Sequence, residues 1–69
     1  MIEVFKTNVH DPTMAQQLAS KLMLQFPHCR INFDLQDCDR ILRVEGAAFC
    51  NAEIVALLNS DGYQCLALE

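Results

Sequence analysis

The pattern of apolar residues predicts an α+β fold with the element order β-α-β-β-α-β. Three observations carry this. Cys29, Ile31, Phe33 and Leu35 alternate with Arg30, Asn32, Asp34 and Gln36, which reads as a strand in a sheet with one wet face. Met14, Leu18, Leu22 and Phe26 recur at four-residue spacing behind an Asp11-Pro12 start, which reads as an amphipathic helix. A second periodic stretch around Ile54 and Leu58 closes on Asp61-Gly62 and is followed by the apolar run Cys65-Leu66-Ala67-Leu68.

The first strand spans residues 2–9, with Ile2, Val4, Phe5 and Val9 as its apolar positions. Val4 and Phe5 are adjacent and therefore point to opposite faces, so both faces of this strand carry apolar groups. Asp11 is placed to cap the helix by accepting from a free amide of the first turn. Pro12 at the first helical position sacrifices no hydrogen bond. Ala15, Ala19 and Met23 flank the apolar stripe, Gln16, Gln17, Ser20, Lys21 and Gln25 form the wet side, and Leu24 interrupts it. Pro27 ends the helix, because the residue before a proline is pushed out of helical angles.

Gln36-Asp37-Cys38-Asp39 supplies turn residues between the second strand and a third, Ile41–Glu45, which ends at Gly46. So short a link makes an antiparallel hairpin, with Leu42 and Val44 inside. The second helix is capped by Asn51, or by Cys50 with Glu53 three residues on, and runs through Asn59 or Ser60. Its buried stripe is Ile54, Leu57 and Leu58, helped by Val55. Gly62 suits the left-handed position just past a helix end, and Tyr63–Leu68 forms the fourth strand. Two right-handed crossovers interleaved by a hairpin make a split βαβ arrangement, the ferredoxin-like two-layer sandwich. It has a four-stranded antiparallel sheet with two helices on one face and the other face open. The 69 residues form one such domain.

Composition narrows the function. A hydrophobic fraction of 52% with 20% charged residues excludes disorder. The net charge is -4, and the five Lys and Arg are scattered, so no basic patch points to nucleic acid. No apolar run approaches the ~20 residues that span a bilayer, and the first residues read as a strand and not as a signal peptide. The expectation is a cytoplasmic protein. Cysteines at 29, 38, 50 and 65 show no paired-ligand spacing, so free thiols are expected over zinc or disulfides. Cys50 near a helix N-terminus would favour its thiolate, but no base or resolving partner stands near it in sequence. His28 and Cys29 are neighbours in an extended stretch and point apart. No phosphate-binding loop, nucleophile elbow or zinc-protease motif is present, so no enzyme is expected.

Phe5-Lys6-Thr7-Asn8-Val9, Arg40-Ile41-Leu42-Arg43-Val44-Glu45-Gly46 and Asp61-Gly62-Tyr63 resemble the first strand, the third strand and the Gly-Tyr turn of heavy-metal-associated domains. These are small copper-chaperone-type modules, and the resemblance covers essentially the whole chain. The family's metal motif, Met-x-Cys-x-x-Cys, falls on Val9-His10-Asp11-Pro12-Thr13-Met14, where Asp11 and Met14 stand at the two cysteine positions. A hard carboxylate and a thioether replace two thiolates poorly, because soft ions prefer thiolate sulfur. The resemblance therefore implies the fold and not the ligand set. His10, Asp11 and Met14 remain the candidate ligands for copper or zinc, although Asp11 already serves as a cap and Met14 as core.

The open sheet face is the other candidate site. The second strand brings Arg30, Asn32, Asp34 and Gln36 to it, and the third Ile41, Arg43 and Glu45. The outer strands add either Ile2 and Val4 or their neighbours, and either Leu66 with Leu68 or Cys65 with Ala67. One side of this face is thus apolar and the other polar, the pattern of a protein-contact surface that serves a partner or a second copy of the chain.

Overall fold

The computed structural model describes residues 1–36 and 38–68. Its elements are β1 (Ile2–Thr7), α1 (Pro12–Gln25), β2 (Arg30–Asp34), β3 (Ile41–Glu45), α2 (Asn51–Ser60) and β4 (Cys65–Leu68). The strands form one sheet in the order β2-β3-β1-β4, with every neighbouring pair antiparallel. This is the ferredoxin-like arrangement that the pattern predicts, with β1 and β3 central and β2 and β4 at the edges.

The parity of β1 fixes the two faces. Phe5 and Thr7 are buried against the helices, whereas Ile2 and Lys6 are exposed on the opposite side. Register then carries this division across the sheet. Phe5 stands opposite Leu42 on β3 and Ala67 on β4, and Leu42 stands opposite Phe33 on β2. The largest fully buried side chains are Phe5, Leu18, Leu22, Leu42, Ile54, Leu58, Val9 and Val44, drawn from both helices, the two central strands and one loop.

Several boundaries differ from the expected ones. β1 ends at Thr7, because its ladders end at Lys6–Ile41 and Thr7–Cys65. Val9 is nevertheless fully buried, as a plug supplied by the loop and not by the strand. Ala15, with Leu18 and Leu22, provides the buried side of α1, so the stripe starts one residue later than Met14, which is only half-buried. β2 and β4 are shorter than the apolar alternation suggests. Cys29 and Leu35 flank β2, and Tyr63 and Gln64 belong to the turn before β4. Within α2, Leu57 is half-buried while Ile54 and Leu58 are enclosed.

Local chemistry explains the helix ends. The Asp11 carboxylate accepts from the Thr13 amide at 2.8 Å, as the cap reading requires. Of the two expected caps, Cys50 takes the N-cap position and Asn51 is the first helical residue, but the Cys50 side chain makes no capping bond. Asn51 instead donates from Nδ2 to the Glu3 carboxylate at 2.6 Å, tying α2 to β1. At the far end of α2, Gly62 takes φ +89°, and the Gly62 and Tyr63 amides donate back to the Asn59 and Leu58 carbonyls. In the β2–β3 hairpin the described residues include Arg40 at φ +49°, whose guanidinium donates to the Leu35 carbonyl at 2.7 Å. The expected turn residue Asp37 lies outside the described residues. Among the described residues no helix is long and apolar enough to cross a membrane.

Gly46, just past β3, packs against Cys29. A Cβ built there would stand 2.5 Å from Cys29 Sγ and 3.3 Å from its Cα. The expected outcome of Gly46→Ala is a loss of about 1–3 kcal/mol in chemical denaturation. Adding Cys29→Ala to that chain is expected to recover part of the loss, since the sulfur is the closest obstacle. An equal cost in both backgrounds would show that the sulfur is not the cause.

Candidate functional site: the first loop and the open sheet face

The loop from Thr7 to Asp11 is held by its own side chains. Thr7 is a buried polar residue at the end of β1. Its hydroxyl donates to the Arg40 carbonyl at 2.6 Å and accepts from the Val9 amide at 3.2 Å. Its amide donates to the Asp39 carbonyl at 3.2 Å, so the loop is joined to the hairpin before β3. Asn8 Oδ1 accepts from the Gln64 amide at 2.8 Å and joins the loop to the turn before β4. His10 is exposed, with Nδ1 3.3 Å from the Asn8 carbonyl.

These contacts assign work to the expected ligands. Asp11 is exposed and caps α1, Met14 is half-buried at the first turn, and His10 rests on the loop backbone. Among the described residues no group of three or more His, Cys, Asp or Glu side chains is placed to hold a metal ion together. The arrangement does fasten three segments that are distant in sequence. Residue type alone draws attention to His10 and Met14 and away from Thr7 and Asn8. The available signal is that Thr7 shares the parity of Phe5, which puts a hydroxyl on the core side of a strand end.

The uncovered face of the sheet is divided along the strand direction. Across β2, β3, β1 and β4, its rows are Asp34–Ile41–Lys6–Leu66, then Asn32–Arg43–Val4–Leu68, then Arg30–Glu45–Ile2. The β2–β3 half is polar apart from Ile41. The β1–β4 half is apolar apart from Lys6, with Ile2, Leu66 and Leu68 exposed to 55%, 66% and 40%. This resolves the alternatives for the outer strands in favour of Ile2, Val4, Leu66 and Leu68. Among the described residues, three cationic side chains (Lys6, Arg30, Arg43) and two acidic ones (Asp34, Glu45) lie in these rows. Three minus two gives +1 for the rows, and the Asp39 carboxylate 3.7 Å from Lys6 Nζ brings the sum to zero. The face therefore does not share the net -4 of the chain and offers little repulsion to a partner.

All four cysteines are free, with Cys29 and Cys65 buried and Cys38 and Cys50 exposed. Burial pushes the Cys65 thiol up to about 11 from 9.0, because the enclosed site disfavours the thiolate. The folded chain then keeps a proton that the unfolded chain releases above pH 9, so this group's contribution to stability falls as pH rises through 9 to 11. The expected loss is of order 1–2 kcal/mol over that range, read from denaturation curves. Cys65→Ala is expected to flatten that part of the slope, and an unchanged slope would assign it to other groups. At the loop, Thr7→Val strips both partners of the hydroxyl and is expected to cost about 1–3 kcal/mol, whereas His10→Ala is expected to stay within about 0.5 kcal/mol. Equal costs would contradict the division of labour between Thr7 and His10.

Compared with known proteins, the chain matches no protein-family model, no curated protein and no solved structure, so its fold and surface chemistry carry the functional reading.

Proposed function

We propose that this chain is a non-enzymatic ferredoxin-like module that acts through protein contacts, with the apolar β1–β4 half of its open sheet face as the contact surface. The observation that carries the reading is the adjacency of Ile2, Val4, Leu66 and Leu68 on a face that no helix among the described residues covers. An aliphatic surface exposed to water is unfavourable by roughly 25 cal/mol per Å². Contiguous patches of that kind mark interaction sites, whereas scattered surface leucines do not. The near-neutral local charge, with Lys6, Arg43 and Glu45 bordering the apolar residues, supplies polar contacts beside an apolar patch.

Self-association through this face needs only the chain itself. Size-exclusion chromatography with light scattering at micromolar concentration is expected to give a mass above the 7.8 kDa of one chain. Leu66→Thr with Leu68→Thr keeps strand-compatible side chains and is expected to weaken that association at least tenfold while the circular dichroism is unchanged. Association of equal strength in the double variant would exclude this face as its site.

A further inference from the structure

β2 is a five-residue edge strand whose two charges, Arg30 and Asp34, are of opposite sign. Edges are commonly blunted by shortness, charged side chains (lysine above all), proline, a bulge or a covering segment. Charges of opposite sign repel a second copy less than a row of one sign would. β2 carries no proline or lysine, its register with β3 runs unbroken from Arg30–Glu45 to Asp34–Ile41, and its outer side has no neighbouring strand among the described residues. Beside it, on the helix side, a groove of about 290 Å³ opens between α1 and β2, lined by Pro12, Ala15, Ala19, Phe33 and Leu35 among others.

The sequence of the strand, Arg30-Ile31-Asn32-Phe33-Asp34, is complementary to its own reverse. Laid antiparallel on a second copy about Asn32, it sets Arg30 against Asp34, Ile31 against Phe33, and Asn32 against itself. Opposed residues in an antiparallel pair share a face. The two Arg–Asp pairs would therefore both lie on the open face, where Arg30 and Asp34 are exposed. The two Ile–Phe pairs would lie on the helix side, where Ile31 is buried and Phe33 half-buried along the groove. Asp34 Oδ1 accepts from the Gln36 amide at 3.2 Å, which leaves its other oxygen for a guanidinium. Within one chain Arg30 already stands opposite Glu45, so a second carboxylate would place it between two acids. β4, the other edge, has Leu66-Ala67-Leu68 and no charge in the described strand to set a register.

We propose that two copies of this chain pair antiparallel through their β2 edges, about a two-fold axis at Asn32, into one continuous sheet. The register is set by the reciprocal Arg30–Asp34 pairs and the seam is closed by Ile31 and Phe33. The two open faces then lie on the same side, and their apolar halves stay uncovered at the outer ends. The inference rests on the edge strand and not on the face proposed above.

The test is made in the Leu66→Thr/Leu68→Thr chain, so that association through the face does not contribute. Sedimentation equilibrium from about ten to several hundred micromolar is expected to show a monomer–dimer equilibrium. Arg30→Asp or Asp34→Arg places like charges opposite one another twice per dimer and is expected to raise the dissociation constant about tenfold. The exchange Arg30→Asp/Asp34→Arg is expected to restore it to within about threefold. The costs of each substitution to its own chain, including the lost Gln36 bond and the new approach of a carboxylate to Glu45, remain in the exchanged chain, so recovery reports the contact between copies. A strict monomer over this range overturns the inference, as does a dimer indifferent to the single substitutions or weakened further by the exchange. Hydrogen exchange on the Leu66→Thr/Leu68→Thr chain with Arg30 and Asp34 intact gives a check that needs no substitution in β2. Concentration-dependent protection is expected at the β2 amides, and protection confined to β4 would overturn the assignment.

Discussion

The Thr7 hydroxyl is the contact on which the organisation of this domain depends. It sits where β1 stops, on the core side, and it satisfies the buried Val9 amide and the part-buried Arg40 carbonyl. A buried polar group without a partner is costly, so the loop and the start of β3 have little freedom to separate. Asn8 extends the fastening to the turn before β4. With Val9 enclosed between these anchors, the loop serves as a joint that aligns three strand ends. That role explains why it is rich in polar side chains that nevertheless converge on backbone groups and not on one point in space.

Much of the fold is legible in the sequence because local signals and tertiary demands agree. The alternation from Cys29 to Leu35, the Asp11-Pro12 start and Gly62 each report a backbone requirement that a single residue type meets well. The resulting order of elements leaves few ways to pair the strands. The boundaries are less legible. Val9 belongs to the core although it is outside the strand, and Ala15 takes the place expected of Met14, because packing against a neighbouring layer decides burial once periodicity has set the face. The strand ends at Thr7 and Cys65 depend on where ladders run out, which is a property of pairs of segments and not of either alone.

The candidate site is legible only in part for a related reason. His10, Asp11 and Met14 attract attention as residue types, but their roles depend on neighbours that the sequence places far away or within the loop itself. The division of the open face is readable in outline, yet the choice between Leu66 with Leu68 and Cys65 with Ala67 requires the register of β4 on β1. Parity alone permits both, and the enclosure of Cys65 opposite Thr7 decides it. The neutral thiol at Cys65 and the aliphatic face at Leu66 are thus two results of one registration.

The β1–β4 ladder brings together Val4 and Leu68, which are 64 positions apart along the chain (68 − 4). The aliphatic half of the sheet is therefore a composite surface, with neither end of the chain holding enough of it to act alone. A peptide copied from residues 2–7 or from residues 65–68 would reproduce the side chains but not their spacing, and an antibody raised to either would read a different object. A partner of this surface would have to recognise the folded domain, and local fraying of the outer strand β4 would withdraw the surface without unfolding the hairpin or the helices.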